Sequence, residues 1–128
     1  MIEIAISDVN GGVLQKDIAE NQNISFKYLD SIISSLKLKG LINNQKGKGS
    51  GYMLSKSPEE ILVYDIYTAF ESITVVDCLY NNTTCEMSDH CMAQCYWNDF
   101  KKDFIEMLKK KSLKNLIDEY YINKEVLV

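Results

Sequence analysis

The sequence predicts a mainly α fold with a small β wing, and three observations predict it. Leu29, Ile32, Ile33 and Leu36 recur at helical spacing behind a capping serine, Ser25, just after a shorter helical pattern. Two short strand patterns, Leu41–Asn44 and Tyr52–Leu54, flank a glycine-rich basic tip. A nearly heptad apolar stripe then runs through Trp97, Phe100, Phe104, Met107 and Leu108. Together these describe a winged helix-turn-helix domain followed by a long C-terminal dimerisation helix.

A chain of 128 residues suits one compact domain, or a small domain with an appended element. Its 46% hydrophobic content supports a core without disulfides. The longest apolar runs fall far short of a membrane span. The first residues, MIEIAISDVNGG, carry acids and no basic residue, unlike a signal peptide. A cytoplasmic protein with no membrane partner is expected. The net charge of −4 is unevenly placed. Residues 1–56 hold seven lysines against five acids, whereas residues 57–128 hold seven against thirteen. Within Ser25–Lys56 six lysines face Asp30 alone, a candidate polyanion-binding surface or simply a solvated helix face and loop. There is no arginine, so a DNA contact has to use Lys, Ser, Asn, Gln or backbone.

Taken in order, Ile2, Ala5 and Ile6 share one helical face, and Met1–Val9 is expected to be a helix ended by Asn10-Gly11-Gly12. Val13–Gln22 reads as a short helix with Leu14, Ile18 and Ala19 on one face, and Asn21–Asn23 as the polar turn after it. Ser25 caps a helix running to about Lys39, and Gly40 stops it. Two helices across a short turn, the second opening with Ser25, Phe26, Lys27 and Tyr28, form a helix-turn-helix pattern. Asp30 follows, placed to accept from a cytosine amino group or to disfavour wrong sites. The tip Gln45–Gly51 carries Lys46, Lys48 and Ser50 and is expected along the phosphate backbone or in the minor groove. It lacks the spacing of a nucleotide-binding P-loop. Ser57-Pro58-Glu59-Glu60 predicts a helix start, running to about Glu71 with Val63, Ile66, Tyr67 and Phe70 on one face. Ile73–Cys78 reads as an extended link. The long helix is expected from about Met92 to Lys111, its three terminal lysines suiting the macrodipole. Its stripe either packs on its own domain or pairs with a second copy. Because the earlier elements suffice for a winged-helix core, a homodimer is expected. Ser112 caps a further helix to about Tyr121, and Asn123–Val128 is a tail with strand character.

All four cysteines, the only histidine and the only tryptophan fall within Asp77–Trp97. Cysteines used only as small apolar residues should scatter. The spacing is C-x6-C-x5-C-x3-C, with Cys91 and Cys95 one helical turn apart. Thiolates on a loop, anchored at a helix N-terminus that favours negative charge, suit a soft metal centre. Zinc is an alternative, although structural zinc favours tighter cysteine pairs and only Cys91–Cys95 approaches one. His90, beside Cys91, and Cys95 itself are further candidate ligands.

These residues carry a resemblance. IAENQNISFKYLDSIISSLKLKGLI, then KGKGSGYMLSKSPEEI, then VVDC with two more cysteines and a nearby Trp, together resemble the IscR/NsrR/CymR family of bacterial winged-helix regulators, in its iron–sulfur-sensing branch. The resemblance covers almost the whole chain. It rests on the IS-x-x-YL start of the recognition helix, the G-x-G-x-GY wing and the cysteine spacing. It implies a homodimeric transcription regulator that binds a double-stranded DNA operator, most simply as a repressor. It also implies a 2Fe–2S or 4Fe–4S cluster on three cysteines, matching Cys78, Cys85 and Cys91, whose state alters the fit to the operator. In IscR-type members a histidine three residues after the third cysteine is the fourth ligand; that position is Gln94, with Cys95 one residue on. In nitric-oxide-sensing members the fourth ligand lies near the partner's N-terminus, a segment without a counterpart if Met1 starts inside the family's first helix.

The expected organisation is therefore a DNA-binding domain over 1–72, a cysteine-containing sensor loop over 73–96, and a dimerisation helix with its tail over 97–128. The alternatives are a winged-helix regulator with a zinc or thiol-redox site, or one controlled by a partner protein without a cluster. An enzyme is not expected: there is no C-x-x-C pair, no supported Cys–His–Asp set and no sequence-evident substrate pocket.

Overall fold

A computed structural model of the chain describes residues 1–7, 11–45, 51–73, 86 and 90–126. Among the described residues, helices and one hairpin follow in the order α1 (Ile2–Ser7), α2 (Gln15–Gln22), α3 (Phe26–Leu38), β1 (Ile42–Asn44), β2 (Tyr52–Leu54), α4 (Val63–Thr68), α5 (Gln94–Lys109) and α6 (Leu113–Val126). The strands pair antiparallel, Ile42 opposite Leu54 and Asn44 opposite Tyr52. The expected mainly α architecture with a two-stranded wing is present.

The helix-turn-helix is built by local signals. Asn23 takes the left-handed conformation (φ 51°) that closes α2, and Ile24 N–H donates to the Ala19 carbonyl at 3.1 Å. Asn21 and Gln22 are helical, so the turn is Asn23–Ser25, slightly later than expected. Ser25 Oγ accepts from Tyr28 N–H at 3.2 Å and caps α3. At the other end Gly40 sits at φ 76°, and Leu41 N–H reaches back to the Leu36 carbonyl at 3.0 Å. This closure is the Schellman motif, with Leu36 and Leu41 both buried beside it. The chain leaves α3 in a fixed direction and enters β1 two residues later.

The core joins Ile4 of α1, Ile18 of α2, Leu29, Ile33 and Leu36 of α3, the hairpin residues Ile42 and Leu54, and Leu113 of α6. Leu113 was not anticipated there. It is fully buried, as is Ile61, and the two segments pair in extended form: Leu113 N–H donates to the Ile61 carbonyl at 2.7 Å and Val63 N–H to the Lys111 carbonyl at 2.9 Å. This pairing corrects the expected helix start at Pro58. Glu60 does reach back to Ser57, accepting from its N–H at 3.3 Å, but only one turn forms. Ile61 and Leu62 must then extend to pair with Ser112 and bury Ile61, so α4 begins at Val63. There Asp65 accepts from Leu62 N–H at 2.9 Å.

Two further expectations are corrected. Val13 and Leu14 are not helical: Val13 pairs with Tyr52 of β2, and Leu14 is 44% exposed rather than on the packed face of α2. The last helix continues to Val126 instead of giving way to a strand, and exposed ion pairs of Lys111 with Glu119 and Lys114 with Asp118 lie at its first half. Of the Ile73–Cys78 link, only Ile73 lies within the described residues, and it is buried.

Leu113→Ala should cost about 2–5 kcal/mol, the range for truncating a fully buried leucine. Urea unfolding should show a lower midpoint at unchanged slope, because the winged-helix core itself loses a packing residue.

Candidate nucleic-acid interface and cysteine site

The inner face of α3 is buried through Leu29, Ile33 and Leu36, which turns its first turn outward. Phe26 is 56% and Tyr28 61% exposed, and Ser25, Lys27 and Asp30 are exposed with them. Two large aromatic side chains left in solvent at a helix start, beside a lysine, are unusual for a purely structural element. Further along, the exposed Ser31 and Ser34 donate to their own helix, to the Tyr28 carbonyl at 2.7 Å and the Asp30 carbonyl at 2.8 Å. Lys37 and Lys39 are exposed near the end of α3. Lys46, Lys48 and Ser50 of the wing lie outside the described residues. The base of that tip is closed by Gln45 N–H donating to the Gly51 carbonyl at 3.0 Å.

The structure also brings in residues the sequence reading missed. Tyr52 O–H donates to Gln15 Oε1 at 3.0 Å, and Gln15 Nε2 donates to Asp30 Oδ1 at 3.3 Å. Lys37 Nζ lies 4.8 Å from the Tyr52 ring centroid. Asp30, expected to face DNA, is thus engaged with α2. No local periodicity connects Gln15 with a tyrosine 37 residues away, so no sequence signal marked the pair.

Of the cysteines, Cys91 and Cys95 are described; both are free, Cys91 half-buried and Cys95 exposed. Cys91 lies just before α5, and its carbonyl accepts from Gln94 N–H at 3.2 Å. Cys95 lies in the first turn of α5, Gln94 beside it is half-buried, and His90 is exposed. Cys78 and Cys85 lie outside the described residues, and among the described residues no three metal-ligating side chains come together. Two thiols bracketing the start of a helix are soft sulfur donors of the kind a soft metal takes.

Below the cysteines α5 carries an aromatic ladder. Trp97 packs edge-on against Tyr96 at 5.2 Å and Phe100 at 6.0 Å, and Phe104 packs edge-on against Tyr67 of α4 at 5.9 Å. Phe100 and Met107 are 46% and 58% exposed; Trp97, Phe104 and Leu108 are half-buried. No residue of this 16-residue helix is fully buried. No helix among the described residues is long and apolar enough to cross a membrane.

Comparison with known proteins agrees with these features. The model of the Rrf2 family, described as iron-dependent transcriptional regulator, matches residues 1–119. The HTH-type transcriptional regulator IscR of Pectobacterium carotovorum subsp. carotovorum is 34% identical over 99% of this chain and 75% of its own length. Among solved structures, IscR of T. potens superposes with a TM-score of 0.73 at 27% identity, covering 93% of this chain and 78% of its own. CymR of B. subtilis, the global cysteine regulator, superposes with a TM-score of 0.69 at 25% identity, covering 92% and 87%. These relatives are transcriptional regulators and not enzymes. With its winged helix, its cysteine-bearing turn and its long C-terminal helix, the chain belongs to the Rrf2 family of transcriptional regulators.

Proposed function

We propose that the protein is a homodimeric, sequence-specific DNA-binding repressor whose operator affinity is set by an iron–sulfur cluster on Cys78, Cys85 and Cys91. The observation that carries the DNA reading is the outward N-terminal turn of α3, Ser25–Tyr28, which is capped and exposed. A recognition helix presents its N-terminal residues to the major groove, and lysines contact phosphate. Phe26 and Tyr28 meet base edges and sugars, while Lys27, Lys46 and Lys48 contact phosphates and Ser50 donates to them. Without arginine, bidentate recognition of guanine is not available, so contacts to adenine, thymine methyl groups and groove shape carry more of the specificity.

The cluster reading is supported by the free thiols at the start of α5 and by the iron dependence in the family's description. A bound iron–sulfur cluster supplies a centre that responds to iron supply and to oxidants. The chain's own part is to present cysteine sulfurs, soft donors that suit such a cluster. Cys95, Gln94 and His90 are the neighbouring candidates for a fourth ligand.

Dimerisation is supported by the apolar side of α5, from Trp97 through Phe100, Phe104 and Met107 to Leu108, which buries no residue fully within its own chain. A second copy covers that side and spaces two recognition helices for adjacent major grooves.

Three measurements test these readings. Lys27→Ala should weaken binding about equally on all sequences and reduce the salt slope by about 1, read by anisotropy across a potassium chloride series. A wild-type chain that binds no duplex in a salt-sensitive way removes the DNA reading. Purified without oxygen, the protein should be coloured and contain iron and sulfide, and Cys91→Ser should lose all three; a colourless protein containing zinc instead establishes the zinc site. Phe100→Glu should shift sedimentation from dimer to monomer, because it places a charge in the apolar contact.

A further inference from the structure

Resting on the reading of α3 and the wing as the DNA-binding surfaces, we infer that Gln15 and Tyr52 are positioning residues that hold the wing at a set angle to the recognition helix. The side chains form one chain of hydrogen bonds across three elements: Tyr52 of β2 to Gln15 of α2, and Gln15 to Asp30 of α3.

The direction of the chain is determined by its ends. A carboxylate such as that of Asp30 only accepts, so the Gln15 amide has to turn its NH2 toward α3. That leaves Gln15 Oε1 toward the wing, where it accepts the Tyr52 hydroxyl. The reverse orientation would set the Gln15 oxygen against the Asp30 carboxylate. Gln15 is therefore a two-ended connector with one satisfied orientation. Lys37, two turns along α3 from Asp30, adds a second tie by lying over the same tyrosine ring.

The backbone shows why this tyrosine is well placed. Tyr52 pairs with Asn44 at the tip end of the ladder, next to the basic loop. Its N–H donates to the Val13 carbonyl at 2.8 Å, and its carbonyl accepts from Val13 N–H at 3.2 Å. The approach is so close that a Cβ on Gly51 would meet the Val13 backbone at 2.4 Å, and one on Gly12 (φ 88°) would meet the Tyr52 carbonyl at 2.7 Å. The wing thus rests on the segment leading into α2. In this reading the backbone pairing is a line about which the tip end of the hairpin, beyond the buried Ile42 and Leu54, is left to tilt. The hydroxyl–amide–carboxylate chain and the lysine contact lie off that line and oppose the tilt.

Ile42 and Leu54 already anchor the hairpin in the core. A single exposed or half-exposed hydrogen bond adds little to folding, so the chain acts on geometry more than on stability. A wing free to rock has to be ordered when DNA binds, and that cost falls on sites where helix and wing engage together.

The test uses the full chain and a duplex that the wild type selects from a random-sequence library. Tyr52→Phe removes the hydroxyl and keeps the ring under Lys37. Gln15→Met keeps the length of the side chain and removes both hydrogen bonds. Each should lose about three- to tenfold in affinity for the selected duplex, the loss expected when one hydrogen bond's worth of geometry is released. Affinity for a scrambled duplex, the salt slope and the melting temperature should stay near wild type. The double variant should bind about as well as either single one, because both break the same chain. Unchanged binding to the selected duplex overturns the inference. So do equal losses on selected and scrambled duplexes, a melting temperature that falls in step with affinity, or losses that add. A wild type that selects no duplex overturns the DNA reading and this inference with it.

Discussion

The structure depends on the extended pairing of residues 61–63 with residues 111–113. Its two hydrogen bonds bring Ile61 and Leu113 to full burial side by side. The pairing ends the turn begun at Pro58, sets where α4 starts, and returns α6 to the core beside α1. It also determines the placement of α5. That helix has 16 residues, so it spans about 24 Å from the cysteine-bearing turn to this junction. Through Phe104 on Tyr67 and Lys109 over Tyr64 it rests on α4 without burying any residue fully. The helix is thus tied to the winged-helix core near one end and carries Cys95 in its first turn at the other.

The helix-turn-helix is held differently. Its precision comes from backbone closures: left-handed Asn23, the Ser25 cap, and the Gly40 closure of α3. Each satisfies N–H or carbonyl groups that a helix end otherwise exposes. The side chains left over at the start of α3 are therefore not needed for folding. Exposed Phe26 and Tyr28 keep apolar surface in water, which is tolerable where a partner covers it.

Much of this was legible in the sequence, because the signals concerned are local. The α3 periodicity, its cap and its glycine stop lie within sixteen residues of one another, and the structure contains each of them. The hairpin strands were legible from the change of period after Gly40, and β2 runs from Tyr52 to Leu54 as expected. The cysteine grouping was legible as composition. The misreadings at Val13, Ile61 and Leu62 share one cause. These residues sit in sequences that favour helix, yet each is drawn into extended pairing with a distant strand or segment. Ladder bonds and full burial outweigh a propensity difference of less than about 1 kcal/mol per residue.

The sequence by itself determined which residues form α3, where it starts and stops, and where lysines and cysteines group along the chain. Capping, helical period and charge act over a few residues, so they can be read in order along the chain. Only the tertiary structure decided that Leu113 completes the winged-helix core, and that Tyr52, Gln15 and Asp30 join β2 through α2 to α3. These contacts bring together residues far apart along the chain. Their partners are chosen by which surfaces the folded core leaves adjacent, and nothing in the neighbourhood of either residue records that choice.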